Sequence, residues 1–243
     1  MSIQQAAISL SWTSLSLFLE CPRCFYKVQV LNKKRPKVDA DSFALNQAVD
    51  FLWKREFDLY REEQAPHPIM VQYKIDALPL QYVSLQKWRD YKLGGIRFVH
   101  QDYNIELFGV IDDLWINHKN EIIVVDYKAT VKHSQFMTYT TRTKWTEGNE
   151  RQMSFYAYLF KQNKFLVHNK GYFIYSAARK HAEFFNQRLD FESTIVPCPI
   201  DDLWIEITLQ GIRSCLSQSY LPKAALGCEF CGYDVTSGVI YEN

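Results

Sequence analysis

Two aspartates and a lysine, Asp112, Asp126 and Lys128, stand in a stretch otherwise dense in β-branched and aromatic residues, "GVIDDLWINHKNEIIVVDYKAT". Charged groups among apolar neighbours are stable only when paired or bound to an ion. If Ile105 to Lys128 forms an antiparallel hairpin whose "NHKN" turn is centred near Lys119, Asp112 falls opposite Asp126. Their Cβ atoms would then lie ~5 Å apart on one face. Lys128, two residues beyond Asp126, points the same way. A hard divalent cation, Mg²⁺ or Mn²⁺, satisfies two such carboxylates through oxygen ligands. The lysine is then placed to orient a water or to steady charge developing at phosphorus. Moving the turn by half a residue would put Asp113 opposite Asp126, and spacing leaves that alternative open. A hairpin end reaching solvent is the plain reading, but "IIVVDY" is apolar on both faces and reads as a central strand.

A second group of chemistry-bearing residues lies at the two ends, in "ECPRCFY" and "GCEFCGY". Cys21, Cys24, Cys228 and Cys231 form two Cys-x-x-Cys pairs, a spacing that favours metal ligation over a disulfide framework. Four thiolates suit tetrahedral Zn²⁺ or an iron–sulfur cluster. One shared centre would close the chain's ends over each other. "CPRC" follows a predicted helix, whereas a redox dithiol opens a helix after a strand. Cys198 and Cys215 have no close partner in sequence and read as ordinary core or loop thiols.

The elements that must position these groups are legible in outline. Ser11 to Glu20 reads as a short helix stopped near Pro22. Leu45, Val49, Leu52, Trp53 and Phe57 recur at helical spacing in a run from Phe43 to Glu63. The proline-containing stretch Ala65 to Leu80 reads as a connection. Strand-like segments follow in "IRFVHQDY", "IELFGVIDDLWIN" and "EIIVVDYKAT". Arg151 to Gln162 is helical, "GYFIYSA" a strand, and "DDLWIEITLQGIRSCLSQ" a helix. This order predicts an α/β domain with a central mixed sheet flanked by helices. The 243 residues, 47% of them hydrophobic, allow a single domain: residues 1–94 an N-terminal cysteine and helical segment, 95–200 the sheet core, 201–243 a C-terminal helix and cysteine segment.

A net charge of +1 excludes a protein made basic throughout to coat nucleic acid. Local basicity, in "NKKRPK" (residues 32–37) and at Lys132, Arg142, Lys144 and Arg151, is read either as one groove or as solvated loops. No apolar run reaches the ~18 residues of a membrane span. The N-terminus shows no signal peptide, so a cytoplasmic location is expected. Phosphate-loop and serine-elbow motifs are missing, which removes support for ATPase and serine-hydrolase readings.

Taken together, "GVID", "VVDYKAT" and "RQMSFYAYL" resemble the motifs of the PD-(D/E)XK nuclease superfamily, in its RecB-like branch. That branch includes CRISPR-associated exonucleases with a four-cysteine iron–sulfur site. "LSWTSLSLFLECPRCFY" is similar to the family's N-terminal Ser-x-Ser-x-Leu…Cys-Pro-x-x-Phe entry motif, so the resemblance runs from about Ser11 to Tyr233. It implies a restriction-endonuclease-like core, with Asp112 and Asp126 as metal ligands, Lys128 as catalytic lysine, and Gln152 and Tyr156 as a helix pair facing the site. Where the family often has a histidine on the helix before the sheet, Asn46 stands, with Asp50 one turn on as a possible substitute ligand. The resemblance favours a 4Fe–4S cluster at the cysteines, although related proteins place one cysteine early and three late. Zn²⁺ therefore stays open.

The function implied is a Mg²⁺- or Mn²⁺-dependent deoxyribonuclease, exonuclease or endonuclease. Its partner would be DNA, single-stranded or end-bearing, in repair, recombination or CRISPR adaptation. Phe25, Tyr26 and Tyr233 are offered for base stacking. The alternatives are a catalytically weak nucleic-acid-binding module of the same fold, motivated by Asn46, and a structural subunit acting through protein partners in such a complex.

Overall fold

A computed structural model describes residues 7–33, 35, 44–130, 144–179, 184 and 186–231. Lys34, Lys37, Lys132, Arg142 and Tyr233 lie outside them, as does the side chain of Lys144. The chain divides into two units, one of residues 1–39, 99–107 and 203–243, the other of residues 40–98 and 108–202.

The second unit carries a five-stranded mixed sheet. Its strands are β2 (Ala77–Pro79), β5 (Asp113–Asn117), β6 (Ile122–Thr130), β7 (Lys170–Ala178) and β8 (Phe191–Pro199), in the order β2-β5-β6-β7-β8. β6 is central, as its doubly apolar sequence requires. It pairs antiparallel with β5 and parallel with β7, and β7 pairs antiparallel with β8. The β6–β7 crossover contains helix α6 (Lys144–Gln162), the connection that parallel neighbours need. Alternation along β6 separates two faces. Ile123, Val125 and Tyr127 enter a core with Phe57 of helix α3 (Ala44–Glu63), Trp115, Ile174 and Ile195. Val124, Asp126 and Lys128 belong to the other face, where α6 lies. Gly171 of β7 is needed there, because a Cβ on it would stand 2.5 Å from Met153 Sδ of α6 and 2.8 Å from the Val124 carbonyl.

The expected register holds. Asp113 faces Val125 and Ile116 faces Ile122, so the turn is centred on Lys119. Asn117 Oδ1 holds it by accepting from the backbone N–H groups of Lys119 and Glu121, and Asn120 takes the left-handed conformation (φ 59°).

Several elements differ from expectation. "IELFGVIDDLWIN" is two strands, β4 (Ile105–Gly109) and β5, in different sheets. The break comes where the Ile111 N–H bonds the Trp88 carbonyl instead of a neighbouring strand. The proline-containing connection holds helix α4 (Pro68–Gln72) and the edge strand β2, which ends on Pro79, a position an edge tolerates. Helix α5 (Leu85–Arg89) follows. β8 and β1 (Ile8–Ser11) are further strands that the pattern did not reveal, and α6 starts seven residues before Arg151.

In the first unit, Ser11 is the N-cap of α1 (Trp12–Glu20). α1 ends at Glu20, just before Pro22 as expected, and Pro22 opens α2 (Pro22–Gln29) at its first position, where the missing N–H costs nothing. Cys21 is the joint between the two helices. Helix α7 (Leu203–Leu216) packs beside α1, with Gly211 only 3.2 Å, measured from an added Cβ, from the Phe18 ring. β1 belongs to a three-stranded sheet ordered β1-β4-β3, where β3 is Ile96–His100.

Candidate active site and four-cysteine centre

Three carboxylates and two ammonium groups converge at the start of β5 and along β6. Asp112 immediately precedes β5, and its Oδ2 accepts from the Tyr127 backbone N–H at 2.9 Å. This fixes it beside the strand that carries Asp126. Asp50, from α3, shares Lys54 with it: Lys54 Nζ lies 2.8 Å from Asp50 Oδ2 and 3.4 Å from Asp112 Oδ1. Lys128 Nζ lies 2.6 Å from Asp126 Oδ2 and donates to Gln152 Oε1 at 3.2 Å. Gln152 Nε2 in turn donates to the Tyr156 hydroxyl at 3.0 Å. Gln152 and Tyr156 are thus one chain of bonds leading to the lysine, as their four-residue spacing allows.

The electrostatics follow from crowding like charges in a poorly solvated corner. Burial pushes the Asp126 carboxyl up to about 7; the nearby Asp112 and Asp50 charges add to this and Lys128 opposes it. Burial, then the Asp112 charge, raises Asp50. Burial disfavours charge on Lys54 and Lys128, yet the surrounding carboxylates outweigh it and hold both above the usual lysine range. Tyr156 is raised by burial and by Asp126.

Once all three carboxylates are ionised, three anions face two cations and the corner carries one negative charge in excess. Asp50 Oδ1 is buried and, among the described residues, has no hydrogen-bond partner. Oxygen donors, an orphaned carboxylate oxygen and excess negative charge fit a hard divalent cation. Asp112 and Asp126, with Asp50, are the residues that would hold it. Asn46 is exposed, one turn before Asp50 on α3.

Asp113 belongs elsewhere. It is fully buried on the α3 face of the sheet and accepts from Arg61, Arg89, the Tyr127 hydroxyl and the Leu114 N–H. The same two arginines also hold Asp58. This closed cluster ties α3 and α5 to the sheet.

At the other site, Cys21, Cys24, Cys228 and Cys231 come together, all four sulfurs within 4.8 Å of one another. Cys21, Cys24 and Cys231 are buried among Leu17, Ala224, Ala225 and Phe230. The Ala225 N–H points at Cys21 Sγ from 3.4 Å. Burial raises the Cys21 thiol, but that bond and others to Cys24, Cys228 and Cys231 bring it down to about 7. Arg35, the described arginine of the "NKKRPK" run, lines a partly open cavity together with Trp12, Thr13, Ser16, Leu17, Glu20 and Val28. It pairs with Glu20 and lies 4.1 Å over the Phe230 ring; burial raises the Cys24 thiol, and Arg35 opposes that rise without reversing it. Cys198 and Cys215 are buried thiols that are not members of this group.

A family model described as the PD-(D/E)XK nuclease superfamily matches residues 9–236. The chain belongs to the PD-(D/E)XK nuclease superfamily. Nucleases of this superfamily use divalent metals. No curated protein matches. A solved structure titled "Crystal structure of SSO0001" aligns over 93% of this chain and 84% of its own, at 15% identity and a TM-score of 0.39, a likeness too slight to carry an argument.

For this PD-(D/E)XK protein, sequence reasoning missed two residues at the site. Lys54 is four residues after Asp50 and eight after Asn46, on the same helical face, a spacing that was available to be read. Gly109 of "GVID" matters for its missing side chain: a Cβ there would stand 2.8 Å from the Tyr156 ring. The tyrosine reaches the site because nothing occupies that space. Phe25 and Tyr26, offered for base stacking, are core residues. Phe25 is fully buried edge-on to Phe18, and Tyr26 is buried with its hydroxyl on the Gln218 carbonyl. Among the described residues, no helix is long and apolar enough to cross a membrane.

Proposed function

We propose that this superfamily member is a metal-dependent deoxyribonuclease acting on single-stranded or end-bearing DNA. The observation that carries the reading is the convergence of Asp50, Asp112 and Asp126 on one poorly solvated corner with Lys128 beside them. A divalent ion there would polarise the scissile phosphate and lower the pKa of a bound water. The chain's own groups do the rest. Asp112 is oriented by the Tyr127 N–H, and Lys128 is held by Asp126 and Gln152 where its ammonium can position a water or meet negative charge on the phosphoryl oxygens. Tyr156 keeps Gln152 turned toward the lysine. Work in DNA repair, recombination or CRISPR adaptation is suggested by the resemblance to RecB-like proteins.

A second reading, a weakly cleaving nucleic-acid-binding module, is favoured by Asn46 in the histidine's place and by Lys54 sitting between two of the carboxylates. Incubation of labelled single-stranded DNA with the protein and Mg²⁺ or Mn²⁺ separates the two. Cleavage that disappears in Asp126→Ala supports the nuclease. Metal-independent binding without cleavage supports the module.

A further inference from the structure

We infer that the four-cysteine centre is built for a single tetrahedral ion, Zn²⁺, and not for the 4Fe–4S cluster that family resemblance implies. The spacing of the sulfurs is too small for the cluster. Cys24 Sγ lies 3.5 Å from Cys231 Sγ and 3.7 Å from Cys228 Sγ, and Cys21 Sγ lies 3.8 Å from Cys231 Sγ. With Zn–S bonds of about 2.3 Å, the edge of a regular ZnS₄ tetrahedron is about 3.8 Å. Thiolates on a 4Fe–4S cluster each bind a different iron. They must therefore stand at the corners of a cage and be spread wider than thiolates that share one ion. Sulfurs all within 4.8 Å of one another leave no room for four irons and four sulfides between them.

The shell around the sulfurs supports a closed, structural site. The three short contacts each join the N-terminal pair to the C-terminal pair, so one ion would be ligated from both ends of the chain. A ZnS₄ unit carries a charge of −2; the Ala225 N–H donates to Cys21 Sγ, and the guanidinium of Arg35, over the adjacent Phe230 ring, is a positive charge close by. Three of the four cysteines are buried against apolar neighbours, and four protein ligands complete the tetrahedron, so no open position remains for substrate. The centre therefore holds the two ends together and takes no part in turnover.

This inference does not rest on the nuclease reading. The test is elemental analysis and an absorption spectrum of the full chain, produced with iron and zinc both supplied and purified without oxygen. About one zinc per chain, little iron and no visible absorption is the expected result. Exchange with Co²⁺ should then give the visible bands of tetrahedral cobalt thiolate. Cys228→Ser should lower the bound zinc at least ~10-fold, whereas Cys215→Ser should keep it. Brown protein with iron and acid-labile sulfide in equal amounts would overturn the inference, as would metal-free protein with the four thiols oxidised in pairs.

Discussion

The two neighbouring aspartates of "GVIDD" should respond to the same conservative change in opposite ways. Asp113 is fully buried and is the shared anion of Arg61 and Arg89, whose side chains are only 7% and 4% exposed. Asp113→Asn leaves both guanidiniums with Asp58 as their remaining carboxylate in the cluster, and that group is one third exposed. Breaking a buried pair on one side costs about 3–5 kcal/mol, a large share of a domain's ~5–15 kcal/mol. With a urea m-value of about 2 kcal/mol/M, the unfolding midpoint should fall by roughly 2 M. Asp112 is about one quarter exposed, and its role toward the Tyr127 N–H is one that an asparagine oxygen can keep. Asp112→Asn also removes one of three crowded carboxylates, so its stability should stay within about 1 kcal/mol of the parent. Its cost is functional. Since outer-shell partners alone are worth ~10–100-fold in metal affinity, loss of the ligand itself should weaken Mn²⁺ binding and cleavage by ~100-fold or more. Urea titration, Mn²⁺ calorimetry and cleavage of labelled DNA on both variants make the comparison. An Asp113→Asn protein with the parent's midpoint would refute the reasoning, as would an Asp112→Asn protein that binds Mn²⁺ normally.

Lys54→Met removes the ammonium that competes for Asp50 and Asp112, so Mn²⁺ affinity measured by calorimetry should rise by roughly tenfold or more; unchanged or weaker binding would show that Lys54 is not a competitor. Gly109→Ala should push Tyr156 away from Gln152, because its methyl would occupy space 2.8 Å from the ring. The expected signs are a loss of about 1–3 kcal/mol in denaturation and a several-fold drop in cleavage, whereas Gly148→Ala, in α6 with nothing within 4 Å of the new Cβ, should keep cleavage and gain up to about 1 kcal/mol. Without Mg²⁺ or Mn²⁺, stability should fall as pH rises. Burial first, then the Asp112 and Asp50 charges, lifts Asp126 from 3.8 to about 7 against the pull of Lys128, so the native state keeps a proton that the unfolded chain releases. The contribution is fully present below pH ~4 and lost as pH passes ~7, with a ceiling of about 4 kcal/mol. Urea midpoints from pH 5 to 8 should show this slope in the parent and not in Asp126→Asn, and equal slopes would sink the assignment.

By itself the sequence determined what is local. The period of two along β6 puts Asp126 and Lys128 on one face, because alternation is a property of the backbone, whereas the choice of Asp112 over Asp113 as the neighbour of Asp126 was made by the strand pairing of the folded chain. The four-residue step from Gln152 to Tyr156 likewise follows from helix geometry. Cysteine spacing announced a metal centre, since each pair is held by its own turn. Tertiary structure decided how the buried charges were partnered. Asp112 and Asp113 are adjacent and chemically identical, yet one meets Lys54 and the other meets Arg61 and Arg89. That assignment depends on which helix covers which face of the sheet, and the arginines come from 52 and 24 residues away. Lys54, the space left by Gly109 and the distances among four sulfurs from opposite ends of the chain are equally non-local. A side chain's direction follows from its neighbours in sequence, but the group it meets there is fixed only when separate elements pack together.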